Sequence, residues 1–193
     1  MYFDNPLIEY LHEYLWRTLL VFILLVVPIE MIIHELGHFY FQRKYGIRVL
    51  FFKIGIFNIV KWGHKSGTDF ILGVPLLKAE SRGLGEVGDK KISDPESFYY
   101  AHRHPKERFV VAVAGVMATL LVMTACLIVY IVAQKNFGFP ESILINLIFM
   151  LVAANEIINL FVPFKLPWKG GSIPNDAFVA IESLWHWYKF NKK

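Results

Sequence analysis

The sequence predicts a membrane-embedded α-helical fold: about three core transmembrane helices, then a broken segment and a C-terminal helix, with a small membrane-associated β-hairpin or sheet after the first span. Three observations predict it. Hydrophobic residues make up 55% of the chain and mean hydropathy is +0.44, above the ~45–50% apolar usage of soluble domains. The apolar residues are gathered into runs: 19–29 and 109–133 are uncharged, and 143–164 carries one acid, Glu156. A helix of roughly 20 residues crosses the hydrocarbon core, so the last two runs qualify directly, and the first does when extended past Arg17 and Glu30. Between the first two runs stands a segment rich in β-branched and aromatic residues and interrupted by turn signals.

Taken in order, residues 1–14 read as an interfacial amphipathic segment. They carry acids where a cleavable leader carries bases, and no small-residue cleavage site follows. The first span covers about 16–41, and Gly46 ends its helix. VLFFKIGIFNIVKW (49–62) and DFILGVPLLKA (69–79) read as two strands about the turn GHKSGT, with Pro75 placing the second strand at an edge or ending it early. From 81 to 104 the chain is polar, with Gly83, Gly85, Gly88 and Pro95, and reads as a flexible loop; hairpin and loop together fill 47–108. The remaining spans are 109–133 and 143–164. Pro167, Gly170, Gly171 and Pro174 break the chain after Pro163, and a last helix at about 177–188 brings Trp185, Trp187 and Tyr188 to the membrane interface. The whole chain, 1–193, reads as one membrane-embedded domain, without internal repeats.

Charge placement gives an orientation. Of the 20 Lys and Arg residues, 13 lie between Arg43 and Arg108, several of them flanking spans, and the tail ends with Lys189, Lys192 and Lys193. The positive-inside tendency puts the central loop and the C-terminus in the cytoplasm and the N-terminus outside, in a multi-pass protein of the cell membrane. These basic residues are membrane flanks and solvated loop, so no nucleic-acid partner is expected. The single cysteine, Cys126, falls within the second span and reads as a small apolar packing residue.

The stretch His34-Glu35-Leu36-Gly37-His38 carries the chemistry. On a helix, residues four apart share a face, so both imidazoles can reach one metal while Glu35 projects beside it. Zinc takes nitrogen, sulfur or oxygen ligands in tetrahedral geometry, and a catalytic site keeps one position for water. A carboxylate alongside can accept that water's proton and pass it to a leaving amine. The bland alternative is that the three side chains satisfy one another by chance. Three ionisable groups within five residues of a span make that costly, since each needs a partner inside the bundle.

HELGH inside a membrane span, followed by a hairpin-like segment, resembles the site-2 protease family of intramembrane zinc metalloproteases. Ala114-Gly115 in the second span is similar to the family's Ala-Gly-Pro-x-x-Asn element, with Val116 and Thr119 standing where the family has Pro and Asn. Asn159-Leu160-Phe161-Val162-Pro163 resembles its Asn-Leu-x-Pro stretch, and Pro174-Asn175-Asp176 resembles its Asp-Gly ligand motif, with Ala177 in place of Gly. The resemblance implies Asp176 as the third metal ligand. The residues leave two other readings open: Asn175 or Asp176 caps the last helix, or Glu156, accompanied by Asn155 and Asn159 in an apolar span, is the ligand, as in soluble enzymes that draw a glutamate from a second helix. Glu30, one turn before His34, either supports an imidazole N–H or faces a polar pore. Asn159 is a candidate for holding substrate backbone or an oxyanion, as the family's Asn is thought to do; its alternative is an interhelical hydrogen bond.

Two signals carry little. Gly83-Leu-Gly85-Glu-Val-Gly88 matches a nucleotide-loop pattern without the strand and helix that would give it meaning. His102 and His104 flank Arg103 in a basic juxtamembrane stretch and read as solvated. The expected function is that of a zinc metalloendopeptidase acting on a membrane-anchored protein or a peptide precursor within the lipid bilayer. The alternatives are a catalytically silent relative serving as a membrane scaffold and a zinc-handling membrane protein. No oligomeric state is legible.

Overall fold

The computed structural model describes residues 16–17, 19–64, 67–76, 78–83, 103–137, 143–163, 165–168 and 171–192. The interfacial segment expected at 1–14, most of the polar loop with Gly85 and Gly88, and His102 lie outside the described residues.

The first helix opens with a π-helical turn, Phe22–Val26, and continues as α1, Val27–Lys44. Pro28 explains the wide turn. Proline has no N–H to return to the carbonyl four residues back, and the register loosens just before it, with the Val27 N–H reaching the Phe22 carbonyl. The helix stops at Gly46, whose φ of +71° suits glycine. The Gly46 N–H bonds to Arg43 (3.0 Å) and the Ile47 N–H to Gln42 (2.8 Å), closing the last turn. Ile47 is then buried with Val111 against Phe41, Tyr45 and Val179.

The expected hairpin is a four-stranded sheet. Its strands are β1 (Val49–Ile54), β2 (Phe57–Gly63), β3 (Asp69–Val74) and β4 (Ala79–Gly83), in the order β2-β3-β1-β4. β1 pairs parallel with β3 and antiparallel with β4, while β2 pairs antiparallel with β3. The single strand expected over 49–62 divides at Gly55, with φ +93°. A Cβ on Gly55 would collide with the Gly73 carbonyl, and one on Gly73 with the carbonyl of Phe57, so two glycines let the chain cross itself. β3 ends at Val74, immediately before Pro75. Residues 81–83, expected in the polar loop, belong to β4. The segment AESRG has little strand propensity of its own, and pairing with β1 overrides it.

Next come α2 (Pro105–Phe137) and α3 (Ile143–Phe161). The broken segment contains an antiparallel pair of short strands, β5 (Lys165–Trp168) and β6 (Gly171–Pro174), which leads directly into α4 (Asp176–Phe190). Two helices are long and apolar enough to cross a membrane, Leu19–Lys44 and Pro105–Asn136, and a shorter apolar helix spans Ile145–Phe161. α1 packs along α2, and α2 along α4. Gly37 makes the first contact close: a Cβ there would collide with the Ala114 carbonyl and stand 2.9 Å from the Ala118 methyl. Ala112, Val116, Ala177 and Ala180 are buried, whereas Leu121, Val129, Met150 and Phe161 are exposed. Such a surface suits a hydrocarbon solvent. Cys126 is exposed rather than packed in the core, because it sits on the outward face of α2.

Candidate metal centre

α1 sets His34 and His38 one turn apart on one face, with their Nε2 atoms 3.1 Å from each other. Asp176, the first residue of α4, brings Oδ2 to 2.8 Å from His34 Nε2 and 3.3 Å from His38 Nε2. Its neighbour frees it for this position. Asn175 is the N-cap, accepting the Phe178 N–H on Oδ1 at 3.2 Å and donating from Nδ2 to the Val162 carbonyl at 2.8 Å. One side chain thus caps α4 and ties its start to the end of α3, and the next side chain points at the imidazoles.

The far ring nitrogens are also engaged. His38 Nδ1 donates to the Val111 carbonyl at 2.7 Å, which fixes its tautomer with Nε2 toward the cluster. His34 Nδ1 lies 3.3 Å from Glu156 Oε1, and Glu156 is only 1% exposed. Glu156 therefore stands on the side of His34 away from the three converging atoms. Gly115 of α2 completes the arrangement, since a Cβ there would lie 2.5 Å from the Nε2 of both histidines.

The donor set suits a metal ion. Two imidazole nitrogens and a carboxylate oxygen lie within 4.8 Å of one another. Ligands at ~2.0–2.1 Å from a tetrahedral zinc stand roughly 3.3 Å apart, close to the 2.8, 3.1 and 3.3 Å separations seen here. These three atoms, crowded at such distances, would need little movement to share one cation.

Beside the cluster lies a cavity of about 170 Å³ lined by Glu30, Met31, His34, Glu35, Ala79, Asn155, Glu156 and Asn159. Glu35 faces it, with Oε2 accepting the Ser81 backbone N–H (2.8 Å) and the Ser81 hydroxyl (2.7 Å). Glu30 does not reach an imidazole; its Oε1 accepts from Asn155 Nδ2 at 2.7 Å. Asn159 borders the same cavity, and its backbone carbonyl faces Asn175 Nδ2 at 3.5 Å. Away from the site, His104 Nδ1 accepts the Lys106 N–H at the start of α2. Sequence reasoning missed Val111, Asn175 as the sole cap, and Ser81. The first works through a backbone atom and the last through strand pairing, neither of which leaves a residue pattern.

An HExxH pair on one membrane-length apolar helix, met by a carboxylate from a later helix, is the arrangement of a helical metallopeptidase-type site able to hold a metal ion. The chain belongs to peptidase family M50, whose model matches residues 20–187, and the site-2 protease resemblance is thereby explained. It is similar to a provisionally named zinc metalloprotease of Thermotoga maritima, 29% identical over 103 residues, 53% of this chain and 21% of that protein. Two proteins of the same description from Xylella fastidiosa strains are 26% identical over 108 residues, 54% of this chain and 24% of theirs. The match thus spans a quarter or less of the curated relatives' length.

Proposed function

We propose that the protein is an intramembrane zinc metalloendopeptidase that cleaves membrane-embedded or membrane-tethered polypeptides. The observation that carries this reading is the convergence of His34, His38 and Asp176 beside Glu35 at one end of a polar cavity. These three residues would hold zinc, which supplies Lewis acidity and lowers the pKa of water from ~16 to ~7. Glu35 takes the proton of the attacking water and delivers it to the departing amine. Val111 and Glu156 orient the two imidazoles. Asn159, on the cavity wall, is placed to hold substrate backbone or the developing oxyanion.

A helical substrate must unwind to expose its amide, and the outer edge of β4 at Ala79, two residues before the Ser81 N–H that Glu35 takes, offers an extended backbone to pair with beside the cavity. The third span is α3, giving three core spans with β5, β6 and α4 folded back to deliver Asp176. The N-terminus lies outside, and the central sheet and C-terminus lie in the cytoplasm, by the distribution of Lys and Arg. The partner is a membrane-anchored protein or peptide precursor.

The test is Glu35→Gln in the full chain reconstituted in lipid. Cleavage of a membrane-tethered reporter should fall about 10²- to 10⁴-fold while bound zinc stays at the wild-type level. A scaffold or zinc-handling protein would show no proteolysis to lose.

A further inference from the structure

We infer that Ser81 is the positioning residue for the general base, holding Glu35 by one carboxylate oxygen and leaving the other for proton transfer. The inference rests on the peptidase reading and extends it to a residue on the sheet. Two donors of one residue meet a single oxygen: the Ser81 N–H at 2.8 Å and its hydroxyl at 2.7 Å, both on Glu35 Oε2. Among the described residues Glu35 has no other hydrogen-bond partner, so Oε1 takes none.

A glutamate side chain on a helix has three rotatable bonds, and a freely rotating base spends little time in a productive pose. Two hydrogen bonds to one oxygen anchor that oxygen and narrow the rotation of the carboxylate about it. Both are charge-assisted and therefore stronger than neutral ones.

The placement of Ser81 has a structural reason. It pairs with Phe52 of β1 in the antiparallel ladder, and β4 is an edge strand. Its N–H turns away from the sheet and reaches α1. The sheet is therefore registered onto the helix through the base itself. If β4 slid by one residue, the side chain at this point would move to the opposite face of the strand, and the hydroxyl would be lost to Glu35. Ala79, two residues earlier and so on the same face, lines the cavity that Glu35 borders.

The experiment compares Ser81→Ala, Ser81→Thr and Glu35→Gln in the full-length, zinc-loaded protein in lipid. Ser81→Ala should lower kcat about 10-fold with KM and zinc content held, and Ser81→Thr should recover most of the loss. The infrared difference between wild type and Glu35→Gln isolates the Glu35 carboxylate stretch, which should move in Ser81→Ala whether or not substrate is present. An unmoved band, or an unchanged or raised kcat, overturns the assignment. So does a parallel loss of kcat, zinc and thermal stability, the mark of a tie that only joins sheet to helix. A wild type that cleaves nothing overturns the peptidase reading, and Ser81's part with it. A cleaving wild type with an unmoved kcat in Ser81→Ala overturns the Ser81 assignment alone.

Discussion

Gly115 faces His34 with no side chain between them: a Cβ on this glycine would lie 2.5 Å from His34 Nε2, and as near to His38 Nε2. An alanine here would favour the α2 helix by ~1 kcal/mol while pushing both imidazoles out of register. Gly115→Ala should therefore lose at least about tenfold in zinc affinity, on the scale of losses caused by disturbing the groups that orient metal ligands. Its thermal unfolding should be unchanged or slightly raised. Chelator competition and a melting curve on the same preparation check both halves.

Asp176 and Glu156 occupy opposite sides of His34, and their substitutions should separate. Asp176→Asn should abolish stoichiometric zinc binding at submicromolar free zinc. Glu156→Leu should keep the stoichiometry but weaken affinity about 10- to 100-fold by releasing the imidazole N–H. Elemental analysis with a zinc-buffered titration measures both. The reverse order would make Glu156 the ligand.

Acidification should strip the metal. Two imidazoles and a carboxylate bind only in their deprotonated forms, so zinc and protons compete for the same atoms. Bound metal, and with it cleavage, should be full at neutral pH, fall as pH drops below the imidazole range, and return when pH and zinc are restored. Equilibrium dialysis across a pH series would show the competition; pH-independent retention of zinc would contradict a His-containing site.

Gly37 acts through the packing of α1 on α2. An added methyl meets the Ala114 carbonyl on the α2 backbone, which cannot swing aside as a side chain can. Gly37→Ala should separate α1 from α2 and destabilise the bundle by about 1–3 kcal/mol, partly offset by ~1 kcal/mol of helix propensity. A lowered melting temperature in detergent, together with reduced zinc occupancy, is the expected result.

The parts of the molecule legible in the sequence are those governed by a local period. HELGH could be read because four residues make about one helical turn, and long apolar runs because a bilayer has a fixed thickness. The Gly46 stop was readable for a similarly local reason. What escaped depends on contacts made at a distance. Nothing near Ser81 announces that its N–H will leave the ladder for Glu35. Glu30 shares a helix face with His34, yet its carboxylate goes to Asn155 while Glu156 occupies the adjacent ring nitrogen. The strand break at Gly55 was hidden within a run of β-forming residues, since it arises where that backbone passes over Gly73. The pair Asn175-Asp176 was ambiguous because either side chain can cap a helix; in the packed structure Asn175 takes the cap and Asp176 lies beside the imidazoles.

The cluster joins side chains 142 positions apart in the chain. During synthesis both imidazoles therefore leave the ribosome long before the carboxylate that faces them has been translated. The half-made protein therefore lacks one of the three converging side chains, and the cluster closes only when α4 packs along α2 and brings Asp176 to the two imidazoles.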